Sequence, residues 1–405
     1  MAAMARWIVP GVGRDSRALR RPRGYGPAVI TAPGPWIRTA DELHALVNAL
    51  DGCRAIAIDT EADSLHHFTE KVCLIQLSAY RGGAWLIDPL ALRDLSPLAP
   101  ILADPTVLKV LHGGDNDITS LRRDFGFSFR ALFDTAIAAR LLGDTELGLQ
   151  ALVRNELGVE LNKSSQRDDW SKRPLTPKQE TYALADVEHL MALATRLTER
   201  LHAADRVAWA REEFEALASL PPSVKRTGPD GFRKIKGASK LSRRQQAVLR
   251  ELHVWREDRA AAADRPPFKI IAAEILVQLA AEPPETVEEV ARALASHPRL
   301  DREAGAVFAA IERGRQLPEH ELPEREKSAR PLPTAAERRR MEALRGWRDD
   351  EAEQARLDAS VVLSQRLIER VAAAAPRTLA ELAAVEGLRR WRVQAWGPAL
   401  LDACA

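Results

Sequence analysis

The chain has 405 residues, 46% hydrophobic and 29% charged, with a formal net charge of +2. That length calls for two or three domains with packed cores, and it excludes wholesale disorder, a collagen repeat or a disulfide scaffold. Cys53, Cys73 and Cys404 are too widely spaced for a zinc knuckle or a disulfide framework, and no apolar run approaches a membrane span. A reduced, cytoplasmic setting is expected.

In chain order, residues 1–36 are rich in Arg, Gly and Pro without periodicity, which predicts a disordered tail with an organelle-targeting peptide as the alternative. From residue 37 the pattern alternates. A helix is expected over 41–50, then strands over 54–60, 71–78 and 83–88. A helix near 94–103 leads to a strand at 107–111. A helix follows Gly113-Gly114 over 115–124. A short strand at 129–133 precedes helices near 134–142 and 147–156. A polar loop spans 160–175, and a long helix follows Thr176-Pro177. Three successive strands and then strand–helix alternation predict an α/β domain over 37–205, a mixed sheet covered by helices. Pro and Gly break the pattern after 220, and residues 206–240 are assigned to a basic linker region. Everything after 241 reads as amphipathic helix.

That last part repeats itself. Trp255-Arg256-Glu257-Asp258 matches Trp347-Arg348-Asp349-Asp350 at an offset of 92, and Pro284 and Thr286 match Pro376 and Thr378 at the same offset. Two copies of one small helical domain are expected, over 241–318 and 335–405, joined by a linker over 319–334. Trp255 and Trp347 fall at helical core spacing. Trp391 and Trp396 carry no clear signal, and an exposed position is open to them.

The near-neutral total hides opposed blocks. Residues 1–36 carry 6 Arg against 1 Asp, residues 37–205 carry 18 basic and 25 acidic groups, and residues 206–245 carry 10 basic and 4 acidic. Within the acidic block, Asp59 and Glu61 lie two apart on a strand, so both point to one face. Asp117 opens a helix after the Gly-Gly turn. Tyr182 and Asp186 are four apart on the late helix, again on one face. If these elements converge, four carboxylates and a phenol meet. Such a cluster needs counter-charge, and a pair of hard divalent cations, Mg2+ or Mn2+, supplies it and activates water. The alternative on spacing alone is helix caps and solvated acids.

The motifs add a resemblance. DTEAD at 59–63 followed by KVCLIQL, HGGDND at 112–117 and YALAD at 182–186 resemble the three motifs of the DEDD-superfamily 3′→5′ exonucleases of the tyrosine subclass. KSSQRDDW at 163–170 resembles a segment of the ribonuclease D family, and the tandem repeats resemble its HRDC domains. The resemblance covers residues 40–405 and implies an α/β ribonuclease-H-like exonuclease domain followed by two all-α HRDC-like domains. It further implies release of nucleoside 5′-monophosphates from RNA 3′ ends, with tRNA precursors as substrates. Carried onto this chain, Asp59, Glu61 and Asp186 would hold the catalytic metal, Asp59 would reach a second, Asp117 would support it, and Tyr182 would align the attacking water.

Around this core stand weaker candidates. Lys163 and Arg167 are read as phosphate contacts or plain loop residues, and Trp170 as a stacking residue or, more simply, an anchor. His66, beside His67 and Phe68, is read as a substrate contact or an exposed turn. His112 is expected to pack at a strand end, His189 to be structural and Gln76 to be a buried hydrogen-bonding residue. Lys234, Lys236 and Lys240 form a candidate nucleic-acid patch. No membrane association is expected, and no Gly-Lys dipeptide occurs, which excludes a P-loop and ATP use. A monomer is favoured. Two rivals stand: a DNA 3′→5′ exonuclease of repair type, and a nucleic-acid-binding protein with a decayed nuclease domain.

Overall fold

Apolar residues fill both faces of the stretches at 55–58 and 72–75, as in strands covered on two sides. The computed structural model describes residues 35–80, 82–162, 165–223, 228–295, 298–324 and 332–405. It places these two stretches in the middle of a six-stranded sheet. The strands are β1 (Trp36–Ile37), β2 (Ala55–Ala62), β3 (Val72–Ala79), β4 (Ala84–Ile87), β5 (Leu108–Leu111) and β6 (Leu132–Asp134), in the spatial order β1-β4-β3-β2-β5-β6. β3 pairs antiparallel with both β2 and β4, and the other pairs are parallel. This is the mixed sheet that the succession of strands predicts. One boundary moves: Trp36, assigned to the tail, opens β1, and its indole N–H donates to Glu180 Oε1 at 3.0 Å. The rest of the expected tail, 1–34, lies outside the described residues.

Helices flank the sheet: α1 (Ala40–Ala49), α2 (Ala99–Ala103), α3 (Asp115–Phe125), α4 (Thr135–Leu142), α5 (Leu149–Leu157), α6 (Pro177–Glu188), α7 (Leu190–Ala203) and α8 (Val207–Ala218). The long helix expected after Thr176-Pro177 is broken at His189, which ends α6 and precedes α7. The start of α6 is sharply set. Thr176 and Gln179 form a reciprocal capping box, and Pro177 occupies the first turn, where its missing N–H is harmless.

The internal repeat is structural. The first copy holds α9 (Arg243–Ala262), α10 (Pro267–Ile270), α11 (Ala273–Ala281), α12 (Val287–Ala293) and α13 (Ala304–Gln316). The second holds α14 (Ala335–Ala355), α15 (Ala359–Val362), α16 (Gln365–Ala374), α17 (Leu379–Ala383) and α18 (Arg390–Cys404). Ser242 and Thr334 cap the first helix of each copy through capping boxes with Gln245 and Glu337. Thr286 and Thr378 cap the fourth.

Packing divides the chain into two compact units, neither of which is a continuous stretch. Among the described residues, one comprises 35–62, Val72–Ser223 and Leu332–Ala405, so it holds the sheet and the second repeat. The other comprises Asp63–Lys71 and Val224–Pro331, so it holds the first repeat and the segment between β2 and β3. In the first unit, a single core runs from the strands into α8 and the second repeat. α8 lies in the stretch assigned to a linker, yet its Phe214 packs 4.9 Å from Phe133 of β6. Its Trp209 stacks on Trp391 at 4.4 Å and meets Trp396 at 5.3 Å. Trp391 and Trp396, for which an exposed position was open, are therefore core residues, only 1% and 8% exposed. Glu213 of α8 accepts hydrogen bonds from the Trp391 indole at 3.0 Å, from Arg392 at 2.9 Å and from Arg389 at 3.2 Å. The other end of the assigned linker is also packed, with Phe232 and Ala238 in the core of the second unit. Trp255 belongs to that same core, as its spacing predicts. Among the described residues no helix is long and apolar enough to cross a membrane.

Glu213 titrates below the ordinary glutamate range. Burial pushes it up, but the charge of Arg392, the Trp391 N–H and Arg389 outweigh that effect. A carboxyl depressed in the folded state contributes stability that is present above its unfolded pKa of about 4.3 and lost as pH falls through the folded value. Replacing Glu213 by Ala leaves Arg392 buried without its carboxylate. This should destabilise the protein by about 3–5 kcal/mol in denaturant titrations at pH 7. The difference from wild type should shrink on acidification below pH ~4, and a constant difference would refute the pairing.

Candidate active site

Strand alternation puts Asp59 and Glu61 on one face of β2, with Gln76 and Leu74 of β3 directly opposite them. A register shift follows at Glu61/Ala62. α6 packs against β2, β3 and β4, and the Ser78 hydroxyl of β3 donates to its Val187 carbonyl at 3.1 Å. On α6, Tyr182 and Asp186 stand one turn apart, on one face of the helix. Carboxylate oxygens of Asp59, Glu61 and Asp186 all lie within 4.8 Å of one another.

Asp117 comes from the first turn of α3, and the two glycines before it each suit their place. Gly113 has φ +61°, a backbone state that other residues rarely adopt. At Gly114 a Cβ would lie 2.8 Å from the Leu111 side chain. The Gly114 N–H donates to Asp134 Oδ2 at 2.7 Å, and Asp134 also caps α4. Thus one buried carboxylate fixes the turn that launches α3. The Asp117 carboxylate accepts a hydrogen bond from the Thr60 hydroxyl. It stands beside the three-carboxylate cluster and is not one of the three whose oxygens meet within 4.8 Å.

The electrostatics are those of acids held together against their repulsion. Burial is the largest cause throughout. It carries the Asp59 carboxyl well above its usual range, with Asp117, Asp186 and Glu61 adding to the shift. Glu61 is pushed up to about 9 by burial, then by Asp186, Asp117 and Asp168. Burial raises Asp186 to about 7 and Asp117 to about 6. The charged neighbours that act on Asp59 and Glu61 are all acidic. An all-oxygen donor set with unbalanced negative charge suits a hard divalent cation, and the residues present fit a divalent metal site. Tyr182 is also driven upward, by burial first and then by Asp186, so its phenol stays protonated.

The loop ahead of α6 is anchored by a residue that no sequence motif singles out. Arg173 donates to both oxygens of Asp88 at 2.7 and 2.8 Å, to the Cys73 carbonyl at 2.7 Å and to the Trp170 carbonyl at 2.9 Å. This clamps the approach to α6 onto β3 and the end of β4. Thr60 and Asp168 were missed as well. Thr60 sits between the two carboxylates of β2, so strand alternation turns it to the opposite face and hides its part. Asp168 stands in a loop, where no periodicity marks it.

The weaker candidates separate. Trp170 is 1% exposed and lies with its ring 6.0 Å from that of Tyr182, so it is an anchor and not a stacking surface for a base. Arg167 is exposed, and Lys163 lies outside the described residues. His66 is half-buried on the 63–71 segment, its backbone N–H donating to the Asp63 carbonyl at 2.8 Å. His112 packs at the end of β5 with Nδ1 2.9 Å from the Thr135 hydroxyl, and His189 is buried at the break between α6 and α7. Lys234, Lys236 and Lys240 are exposed on the second unit. Gln76 is fully buried, but neither polar atom of its amide has a hydrogen-bond partner among the described residues.

Comparison with known proteins agrees with this geometry. Residues 35–202 match a family model described as 3'-5' exonuclease, and residues 245–311 and 337–404 each match the HRDC domain model. The chain is 34% identical to ribonuclease D of Pseudomonas paraeruginosa, over 92% of this chain and 98% of that protein. It is 32% identical to ribonuclease D of Escherichia coli strain K12, over 82% of this chain and 88% of the relative. The crystal structure of Escherichia coli RNase D, described as an exoribonuclease involved in structured RNA processing, superposes with a TM-score of 0.71 at 29% identity. That match covers 92% of this chain and 98% of the other.

The orphaned amide has a measurable consequence. A buried polar group without a partner forfeits its hydration, at about 1–3 kcal/mol. Gln76→Met, similar in volume and apolar, should therefore raise the unfolding free energy of the metal-free protein by about that amount. A lower urea midpoint at unchanged slope would mean that the amide is satisfied in solution.

Proposed function

The chain belongs to the ribonuclease D family of 3′→5′ exoribonucleases, and from that premise we propose how its residues divide the work. Asp59, Glu61 and Asp186 hold divalent metal, with Asp117 beside them, and the complement is two ions, Mg2+ or Mn2+. Bound there, such ions lower the pKa of water and offset charge developing on the phosphate. Tyr182, one helical turn from Asp186 and kept protonated, orients the attacking water and takes no proton from it. Water oxygen bonds to the terminal phosphorus, the P–O3′ bond breaks, and a nucleoside 5′-monophosphate leaves behind an RNA with a new 3′-hydroxyl. The observation that carries this reading is the meeting of three carboxylates from β2 and α6 within 4.8 Å.

The substrate is RNA with a single-stranded 3′ end, and tRNA precursors fit the family best. Arg167, Lys163 and His66 remain proposed contacts to the terminal nucleotides, and the exposed Lys234, Lys236 and Lys240 to phosphates further along the strand. We take the working form as a cytoplasmic monomer. The modules are the exonuclease domain over 37–205 and HRDC-like domains over 241–318 and 335–405.

Incubating 5′-labelled RNA and DNA of one sequence with Mg2+, Mn2+ or chelator tests the activity. A metal-dependent ladder shortening from the 3′ end is expected, with RNA preferred and no products from Asp59→Ala. The same ladder from Asp59→Ala would remove the assignment. Tyr182→Phe should retain metal binding by calorimetry and lose about 10²-fold in kcat, as for loss of one positioned hydrogen bond. Replacing Lys234, Lys236 and Lys240 together by Glu should weaken RNA binding and flatten its salt dependence. Unchanged binding across a salt titration would eliminate that patch.

A further inference from the structure

Gln76 is out of keeping with its surroundings. It stands on β3 directly opposite Asp59 of β2 on one side and Leu86 of β4 on the other. Residues opposite each other in an antiparallel pair share a face, with their Cβ atoms about 4.5–5.5 Å apart. Leu74 and Ser78, each two positions away along β3, share that face as well. It is the face that α6 covers. Leu74 and Leu86 pack in one core with Ala183 and Leu184, and the Ser78 hydroxyl donates to the Val187 carbonyl. An apolar side chain at 76 would continue that core. The amide found there is 0% exposed, with neither Nε2 nor Oε1 partnered among the described residues.

A buried amide without a partner works against folding unless some state of the protein uses it. The side chains of Leu74 and Leu86 offer it no acceptor, and Ser78 is engaged with α6. Asp59 is the charged residue beside it in the sheet. Glu61, by contrast, has the apolar Leu74 opposite it. The amide is thus placed to serve one carboxylate of the cluster and not the next. A carboxylate that binds metal through one oxygen is steadied when a donor holds the other.

We propose that Gln76 is a positioning residue for Asp59: in the cation-loaded protein its Nε2–H donates to the Asp59 carboxylate and holds it in the orientation that binds metal. The proposal rests on the reading of Asp59, Glu61 and Asp186 as metal ligands. Gln76 acts through Asp59 and touches neither metal nor substrate. One amide then has opposite effects in two states. Without metal it lies unpartnered and lowers stability. With metal it is satisfied, and the gain appears as affinity for the ion.

The test uses the full-length protein and Mn2+ alone, read by calorimetry and by urea unfolding. The calorimetric signal that counts is the Mn2+ binding that Asp59→Ala removes. Gln76→Met should weaken that binding by about tenfold or more. It should also raise the urea midpoint in chelator and gain less than wild type from a fixed concentration of Mn2+. An amide with a merely structural role would shift both midpoints alike and leave the Mn2+ affinity unchanged, and that result overturns the proposal. Should Gln76→Met fail to fold, a crystal structure of the wild-type protein with Mn2+ decides. Nε2 of Gln76 within about 3.2 Å of an Asp59 carboxylate oxygen supports the proposal, and Nε2 bonded elsewhere or to nothing overturns it. Wild type that binds no Mn2+ removes the underlying metal reading instead.

Discussion

Bringing three carboxylates within a few ångströms of one another in a half-buried site opposes folding, and the rest of the nuclease unit is organised around that constraint. Desolvation and mutual repulsion both push Asp59 and Glu61 toward their protonated forms. The cluster persists because its backbone supports leave it no freedom to spread. β2 lies between β3 and β5 in the interior of the sheet, so Asp59 and Glu61 cannot move apart. α6 is held by its capping box and by the Arg173 clamp onto Asp88 and β3. Asp117 is set by a glycine turn tied to Asp134. A site under this strain is suited to binding divalent cations, because the cation relieves what the protein has imposed.

The same logic explains why the second repeat is part of the nuclease unit. Trp209, Trp391 and Trp396 gather a large apolar area at one seam, and Glu213 draws three donors of α18 and its cap toward α8. The stretch that carries α8 looks like a linker by charge, but its apolar residues at 210, 214 and 217 face the core. The first repeat keeps the shared frame, including the Ser or Thr caps.

Much of the site was legible because its signals are local. Asp59 and Glu61 are related by the two-residue period of a strand, and Tyr182 and Asp186 by one helical turn. The Gly-Gly pair before Asp117 marks a turn that favours glycine. What escaped was the set of partners that join elements far apart in sequence. Arg173 reaches Asp88 across 85 positions, and Thr60 reaches Asp117 across 57. No pattern within a short window records either pairing. Trp170 shows the same limit from the other side: a tryptophan in a polar loop reads equally as a surface platform or an anchor until its neighbours are known.

By itself the sequence determined most of the strands and helices, the duplication, and which acids could share a face, because each depends on backbone periodicity. It could not determine what each face packs against. Tertiary structure alone decided that Trp391 and Trp396 are buried, that Gln76 lacks a partner among the described residues, and that the second repeat shares a core with the sheet while the first packs with residues 63–71. The physical reason is that periodicity specifies an apolar surface without its complement. Burial is non-directional, and only the closed fold selects which surfaces meet.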